Sequence, residues 1–159
     1  MMAQTKINIK KAYNYALYLL SSQEYSSNKI KQKITNKYPE LSNQNVLDII
    51  NKLINQDYLS DKRYSEIKTR SLIRRSYGIY YIKKYLQQEK IEENIINQSM
   101  QNCIKEQNIY WPDNIKNYLN KYNYNSLDNS PKYKKKWQNK LYNRGFEQTD
   151  INKILFKRE

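Results

Sequence analysis

Apolar residues recur along this chain at helical spacing, and strand-like alternation is missing. Val46, Ile49, Ile50 and Leu53 fall at i, i+3, i+4 and i+7, so one face of a helix carries all four. Ser42 stands where its side chain would cap the start of that helix. Upstream, Ala12, Ala16, Leu19 and Leu20 repeat the spacing. Between the two, Ile30 and Ile34 mark a shorter helix that opens near Ser26 or Ser27 and is closed by Pro39. Ile115, Tyr118, Leu119 and Tyr122 form another face, opened by Pro112 at a first-turn position where its missing N–H costs nothing. These elements predict an all-α fold.

The predicted helices come in threes. Ile30 and Ile34 on one middle helix correspond to Ile82 and Leu86 on the next, and then to Trp137 and Leu141. The step from Ile30 to Ile82 is 52 residues and that from Ile82 to Trp137 is 55. A further apolar stripe follows each middle helix: Val46 to Leu53, then Ile95, Ile96, Met100 and Cys103, then Ile151, Ile154 and Leu155. The reading is three tandem three-helix repeats over 7–58, 59–110 and 111–159, stacked into an elongated, curved body. The polar stretch from Tyr122 to Ser130 is the expected flexible connection, and Pro131 after Ser130 restarts a helix.

Composition then narrows the chemistry. Among 159 residues, 29 Lys and Arg face 15 Asp and Glu, a formal net charge of +14. Clustered cations gain free energy by releasing counterions from a polyanion, so a nucleic-acid or nucleoprotein partner is expected. With no His there is no histidine general base, no triad of the usual type and no imidazole ligand. The single cysteine, Cys103, makes neither an internal disulfide nor a Cys-rich zinc site. Two glycines, Gly78 and Gly145, cannot furnish a phosphate-cradling loop or a dinucleotide fingerprint. No apolar run approaches the roughly 20 residues of a membrane span. The expectation is a soluble cytoplasmic protein without cofactor, metal or membrane contact, and a monomer.

Tyr58-Leu59-Ser60-Asp61-Lys62-Arg63-Tyr64 resembles the "GYLSDxRYA" signature of the RecX family. Tyr15-Ala16-Leu17, Glu24-Tyr25-Ser26 and Lys33-Ile34 are similar to that family's opening helices. Gly78 with Ile82 and Leu86 resembles its second repeat, and Leu141, Arg144-Gly145-Phe146, Ile151 and Leu155 resemble its close. Three positions depart from the pattern: Gln23 replaces an arginine, and Asp57 and Lys90 replace glycines. The resemblance spans about residues 12 to 155. It implies a regulator that binds the RecA recombinase filament on single-stranded DNA, inhibits strand exchange and ATP hydrolysis, and promotes filament loss. The strand would be contacted directly or through the filament.

Two basic clusters are candidates for that contact. Arg70, Arg74 and Arg75 lie within one and a half turns, with Lys83 and Lys84 on the next helix. They form either a solvated face or a surface for phosphate and acidic filament groups, to which Arg is suited by its bidentate geometry. Lys132, Lys134, Lys135, Lys136, Lys140 and Arg144 place six cations in 13 residues around Tyr133 and Trp137. Their mutual repulsion favours an anionic partner. The spacing of Tyr118, Tyr122, Tyr133, Trp137 and Leu141 reads as core rather than base-stacking surface. Phe146 reads as an anchor after a left-handed helix end at Gly145, and Cys103 as buried and inert. An enzyme would need a carboxylate pair such as Asp57 with Asp61 or Glu92 with Glu93, but helix N-termini account for these acids. The expectation is a non-enzyme, and the alternative is a generic basic helical nucleic-acid-binding module.

Overall fold

A computed structural model describes residues 2–156, with side chains from Lys6 onward; the last residues of the predicted third repeat, 157–159, lie outside it. Among the described residues there are nine helices and no strand: α1 Met2–Leu20, α2 Ser27–Lys37, α3 Asn43–Asn55, α4 Asp61–Arg74, α5 Ile79–Gln88, α6 Glu93–Glu106, α7 Trp111–Lys121, α8 Pro131–Asn143 and α9 Gln148–Leu155.

The starts of these helices follow from polar caps. Ser26, Ser42, Ser60 and Ser130 each accept a backbone N–H of the first turn, and Ser42 shares a capping box with Asn45. Pro112 and Pro131 sit in the first turns of α7 and α8. α2 stops at Lys37, just before Tyr38 and Pro39.

The ends follow a single device. Asp57, Ser76, Lys90, Asn108 and Asn123 have φ between 48° and 58°, and Gly145 has φ 82°. Each lies just past one of the helices α3 to α8. Its N–H, and that of the next residue, turn back onto the last carbonyls, as in Lys90 N–H to Gln87 and Ile91 N–H to Leu86. Five side-chain-bearing residues thus occupy backbone positions that glycine takes without strain. Asp57 and Lys90, where the family pattern has glycine, are two of them.

Three separate cores form. α1, α2 and α3 enclose Ala12, Ala16, Ile30, Ile34, Val46, Ile49, Ile50 and Leu53. α4, α5 and α6 enclose Tyr64, Leu72, Ile73, Ile82, Leu86, Ile96 and Met100. α7, α8 and α9 enclose Ile115, Tyr118, Leu119, Trp137, Leu141, Ile151 and Leu155. In each triplet the loop between the second and third helices contributes one more buried apolar side chain: Leu41, Ile91 and Phe146. Leu59, which opens the second predicted segment, packs into the first core. Trp111 packs against both the second and third cores.

Two local packings differ among the triplets. Ser65 and Thr69 on α4 and Ser99 and Cys103 on α6 are fully buried, and these small side chains let the two helices pack closely. The Cys103 thiol reaches the Glu66 carbonyl at 3.5 Å, and burial pushes its pKa up. In the third core, Tyr124 and Tyr133 stack at 5.6 Å and both meet Trp137 edge-on. Tyr133 also accepts the Asn125 N–H, so the connection from 122 to 130 is partly folded back onto α8. Tyr122 departs from the predicted core: α7 ends at Lys121, and the side chain at the cap is 48% exposed.

Candidate functional site

The basic residues singled out in the sequence sit in different environments. On α4, Arg70 is engaged by Glu106 at 3.0 Å and by Glu66 at 3.8 Å, and its pKa is raised chiefly by the hydrogen bond to Glu106. One turn later Arg74 and Arg75 are exposed at the C-terminal end of the helix, where cations also complement the helix dipole. Lys83 pairs with Glu93, whose carboxyl is held below its ordinary pKa first by that contact. Its neighbour Lys84 is exposed and makes no ion pair among the described residues.

The second cluster runs along α8. Lys132, Lys135, Lys136 and Lys140 are exposed, and Lys134 is half-buried. Lys140 lies over the Trp137 ring at 4.2 Å and Lys134 over Phe156 at 5.7 Å, so two of these cations cover apolar surface with their stems. Arg144 differs from the rest. Its Nε donates to the Ser76 carbonyl at 2.9 Å and its Nη2 to the Arg75 carbonyl. Its guanidinium lies over Tyr77 at 4.0 Å and over Tyr118 at 4.5 Å. The fold thereby joins the two clusters at one point, where Arg75 also faces Tyr77 at 5.5 Å.

Arg144 is one half of a joint between the second and third triplets. The Gly78 N–H donates to the Arg144 carbonyl at 2.8 Å, and the Tyr80 N–H to the Gly145 carbonyl at 3.0 Å. A Cβ on Gly78 would lie 2.2 Å from the Gly145 oxygen, and one on Gly145 would lie 2.2 Å from the Tyr81 nitrogen. The chain has two glycines, and they meet here.

The joint between the first and second triplets gathers the other family-like segments. The Asp61 carboxylate accepts both the N–H and the hydroxyl of Ser27 at 2.7 Å, which supplies α2 with a cap from another triplet. Ser26 donates to Glu89 at 2.7 Å. Arg63 donates to Glu24 at 2.9 Å and to Asp57 at 2.6 Å, and its guanidinium is held more firmly charged, first by Glu24. Asp57 and Asp61 are therefore spent on arginine pairing and on capping. Among the described residues no group of three or more acidic or cysteine side chains could hold a metal ion. No described helix is long and apolar enough to cross a membrane.

One basic feature went unread in the sequence. α2 carries Lys29, Lys33 and Lys37 at i, i+4 and i+8, with Lys31 beside them and no acidic residue in the helix. Lys33 and Lys37 lie over Tyr25 and Tyr15. The four-residue spacing is its signal, overlaid on that of Ile30 and Ile34, which marks the buried face of the same helix.

No family model matches the chain. Individual proteins do. The Haemophilus influenzae (strain Rd) protein named "Regulatory protein RecX" is 29% identical over 147 residues, which cover 91% of this chain and 92% of that protein. The Mannheimia succiniciproducens protein of the same name is 34% identical over 110 residues, 69% of each chain. Among solved structures, RecX from Lactobacillus salivarius superposes with a TM-score of 0.73 at 25% identity, over 94% of this chain and 96% of that one.

Proposed function

The chain belongs to the RecX family of regulatory proteins, and on that premise we propose that it binds the RecA filament on single-stranded DNA, restrains strand exchange and ATP hydrolysis, and promotes filament disassembly. It acts by binding rather than by catalysis, in the cytosol and as a monomer. Its units are the segments 7–58, 59–110 and 111–159, each built on one of the three cores and touching mainly its neighbours, so the body is extended and curved enough to follow a filament groove.

The observation that carries this reading is where the family-like residues lie. Glu24 to Ser26 and Leu59 to Tyr64 form one joint, and Gly78 and Arg144 to Phe146 form the other. Part of the resemblance to RecX proteins thus falls on contacts between the cores, and part, such as Ile34, Ile82, Leu86, Leu141, Ile151 and Leu155, falls inside them; contacts that fix the spacing of the cores are what a groove-following regulator needs. The exposed members of the two clusters, Arg74, Arg75, Lys84, Lys132, Lys135, Lys136 and Lys140, are proposed to face DNA phosphate or acidic filament surface, with Arg70, Lys83, Lys134 and Arg144 supporting that face through their fixed positions.

The test mixes the protein with RecA, ATP and single-stranded DNA and follows ATP hydrolysis and filament length. Hydrolysis should fall and filaments shorten. Unchanged hydrolysis, with binding to bare duplex instead, would replace this reading by a generic helical nucleic-acid-binding module.

A further inference from the structure

A groove of about 700 Å³ opens beside the glycine joint, between α5 and the turn from α8 to α9. Tyr80, Tyr81, Tyr85 and Tyr142 line it around Lys84. Tyr80 and Tyr142 are 56% and 62% exposed, a large aromatic area to leave facing water. The wall behind them is held in place. Tyr81 stacks on Tyr77 with centroids 4.1 Å apart, the Tyr85 and Tyr64 hydroxyls share a hydrogen bond, and Gly145 backbone forms the floor. The Tyr80 hydroxyl donates to Glu147 at 3.0 Å, which fixes the ring and leaves one negative charge at the rim beside Lys84 in the lining.

The rest of the lining decides what fits. Gln88, Asn143 and Gln148 add amides, and among the described residues the lining itself holds no aliphatic side chain and no carboxylate, Glu147 standing at the rim. A helical peptide that docks by aliphatic anchors finds no aliphatic pocket here; a proline-rich peptide, which does use aromatic-lined grooves, would be bound through rings alone and makes no use of the cation or the amides. Aromatic faces, amides and one cation match the faces, edges and phosphates of unpaired nucleotides. The net charge of +14 attracts the same ligand over longer range.

We propose that this groove binds unpaired bases of single-stranded nucleic acid, with Tyr80 and Tyr142 as stacking platforms and Lys84 on the adjoining phosphate. The groove works on the bare strand and needs no recombinase. It deepens the reading above only by naming a direct strand contact, and the two can fail separately.

The test measures anisotropy of a labelled oligothymidylate of about 12 nucleotides, and of an abasic strand of equal length, with the full chain and no RecA. The intact strand should bind on the order of tenfold more tightly at the same salt, because each stacked base adds affinity that a bare sugar-phosphate chain lacks. Tyr80→Leu combined with Tyr142→Leu should erase that preference, whereas Tyr80→Phe should keep it. Lys84→Ala should weaken both strands and lower the salt slope by about one. Circular dichroism checks the fold of the double variant; should it unfold, Tyr142→Leu alone, at a side chain with no hydrogen bond among the described residues, carries the test by a partial loss of preference. Equal binding of intact and abasic strands overturns the proposal, and so does a folded double variant that keeps the preference. A folded double variant that binds strands normally but no longer binds RecA filaments also overturns it, and assigns the groove to protein.

Discussion

The first and second triplets are joined by side chains, the second and third by backbone. At the first joint Asp61, Glu89, Glu24 and Arg63 reach across to serines and to one another, and every contact ends on a carboxylate, a hydroxyl or a guanidinium. Arg63 and Glu24 remain 35% and 25% exposed, which limits what that pair contributes. At the second joint Gly78 and Gly145 bring two main chains into direct hydrogen bonding, and Arg144 closes the edge on two carbonyls between two tyrosine rings. Side-chain joints tolerate substitution piecemeal and respond to charge. A backbone joint has no such gradation, since any added Cβ meets main-chain atoms that cannot move aside.

The largest expected effect is therefore at the glycine joint. Gly145→Ala should cost roughly 2 to 5 kcal/mol, combining about 1–3 for overpacking with about 1–2 for a side chain at a left-handed position. Trp111 packs on Phe146 beside this joint and Trp137 lies in the third core, so a urea titration followed by tryptophan fluorescence reports the loss. A cost under about 0.5 kcal/mol would mean that the main chains separate easily and the contrast is wrong.

Asp61→Ala should cost less, about 1 to 2 kcal/mol, the usual worth of a helix cap. The two joints share no partner, so the double variant should be additive within about 0.5 kcal/mol. Larger coupling in that cycle would show that the joints act as one.

Alkaline pH tests buried acids in the second triplet and beside the two joints. Burial raises the pKa of Cys103, of Tyr64 beside the first joint and of Tyr81 beneath the second. A group whose folded pKa lies above its unfolded value contributes stability that is complete below the unfolded pKa and is lost as pH rises through the folded one. The urea midpoint should thus fall above the unperturbed values of 9.0 for the thiol and 10.0 for the phenols. A midpoint constant to pH 11 would contradict the burial of all three.

The smallest effect is stabilising. Lys90 holds φ 58° at a helix end, next to Glu89 but, among the described residues, with no contact of its own to either joint, so Lys90→Gly should gain about 0.5 kcal/mol, the relief of left-handed strain less the added freedom of the unfolded chain. Thermal melting would check it; a loss would mean that the lysine side chain makes a contact worth more than its strain.

Much of the fold was legible in the sequence because apolar spacing reports the buried face directly. Val46 to Leu53, marked by their spacing, and Ile82 with Leu86, marked by their correspondence with Ile30 and Ile34, lie in the cores. Helix starts were legible where serine or proline marks them. The ends were harder: Ser76 and Lys90 adopt a left-handed conformation that their identities do not announce, and Asn108 and Asn123, of a type that tolerates it, stand among many asparagines in this chain. The joints were hidden for another reason. Asp61 read as an acid at its own helix N-terminus, and nothing local shows that its carboxylate caps α2 across 34 residues. Arg144 read as one cation in a run of six, although its guanidinium is committed to carbonyls 68 and 69 positions away. Charge density is local information, while the partner of a charge is a property of the fold.

The most direct test of the regulator reading compares clustered with dispersed charge. RecA ATP hydrolysis on single-stranded DNA would be measured across a salt series with the wild type, with Arg74→Ala plus Arg75→Ala, and with Lys105→Ala plus Lys153→Ala. The wild type should inhibit, the arginine variant should inhibit more weakly and with less salt dependence at unchanged helicity, and the lysine variant should inhibit almost fully. Equal losses from the two variants would contradict it, because net charge alone would then drive the association.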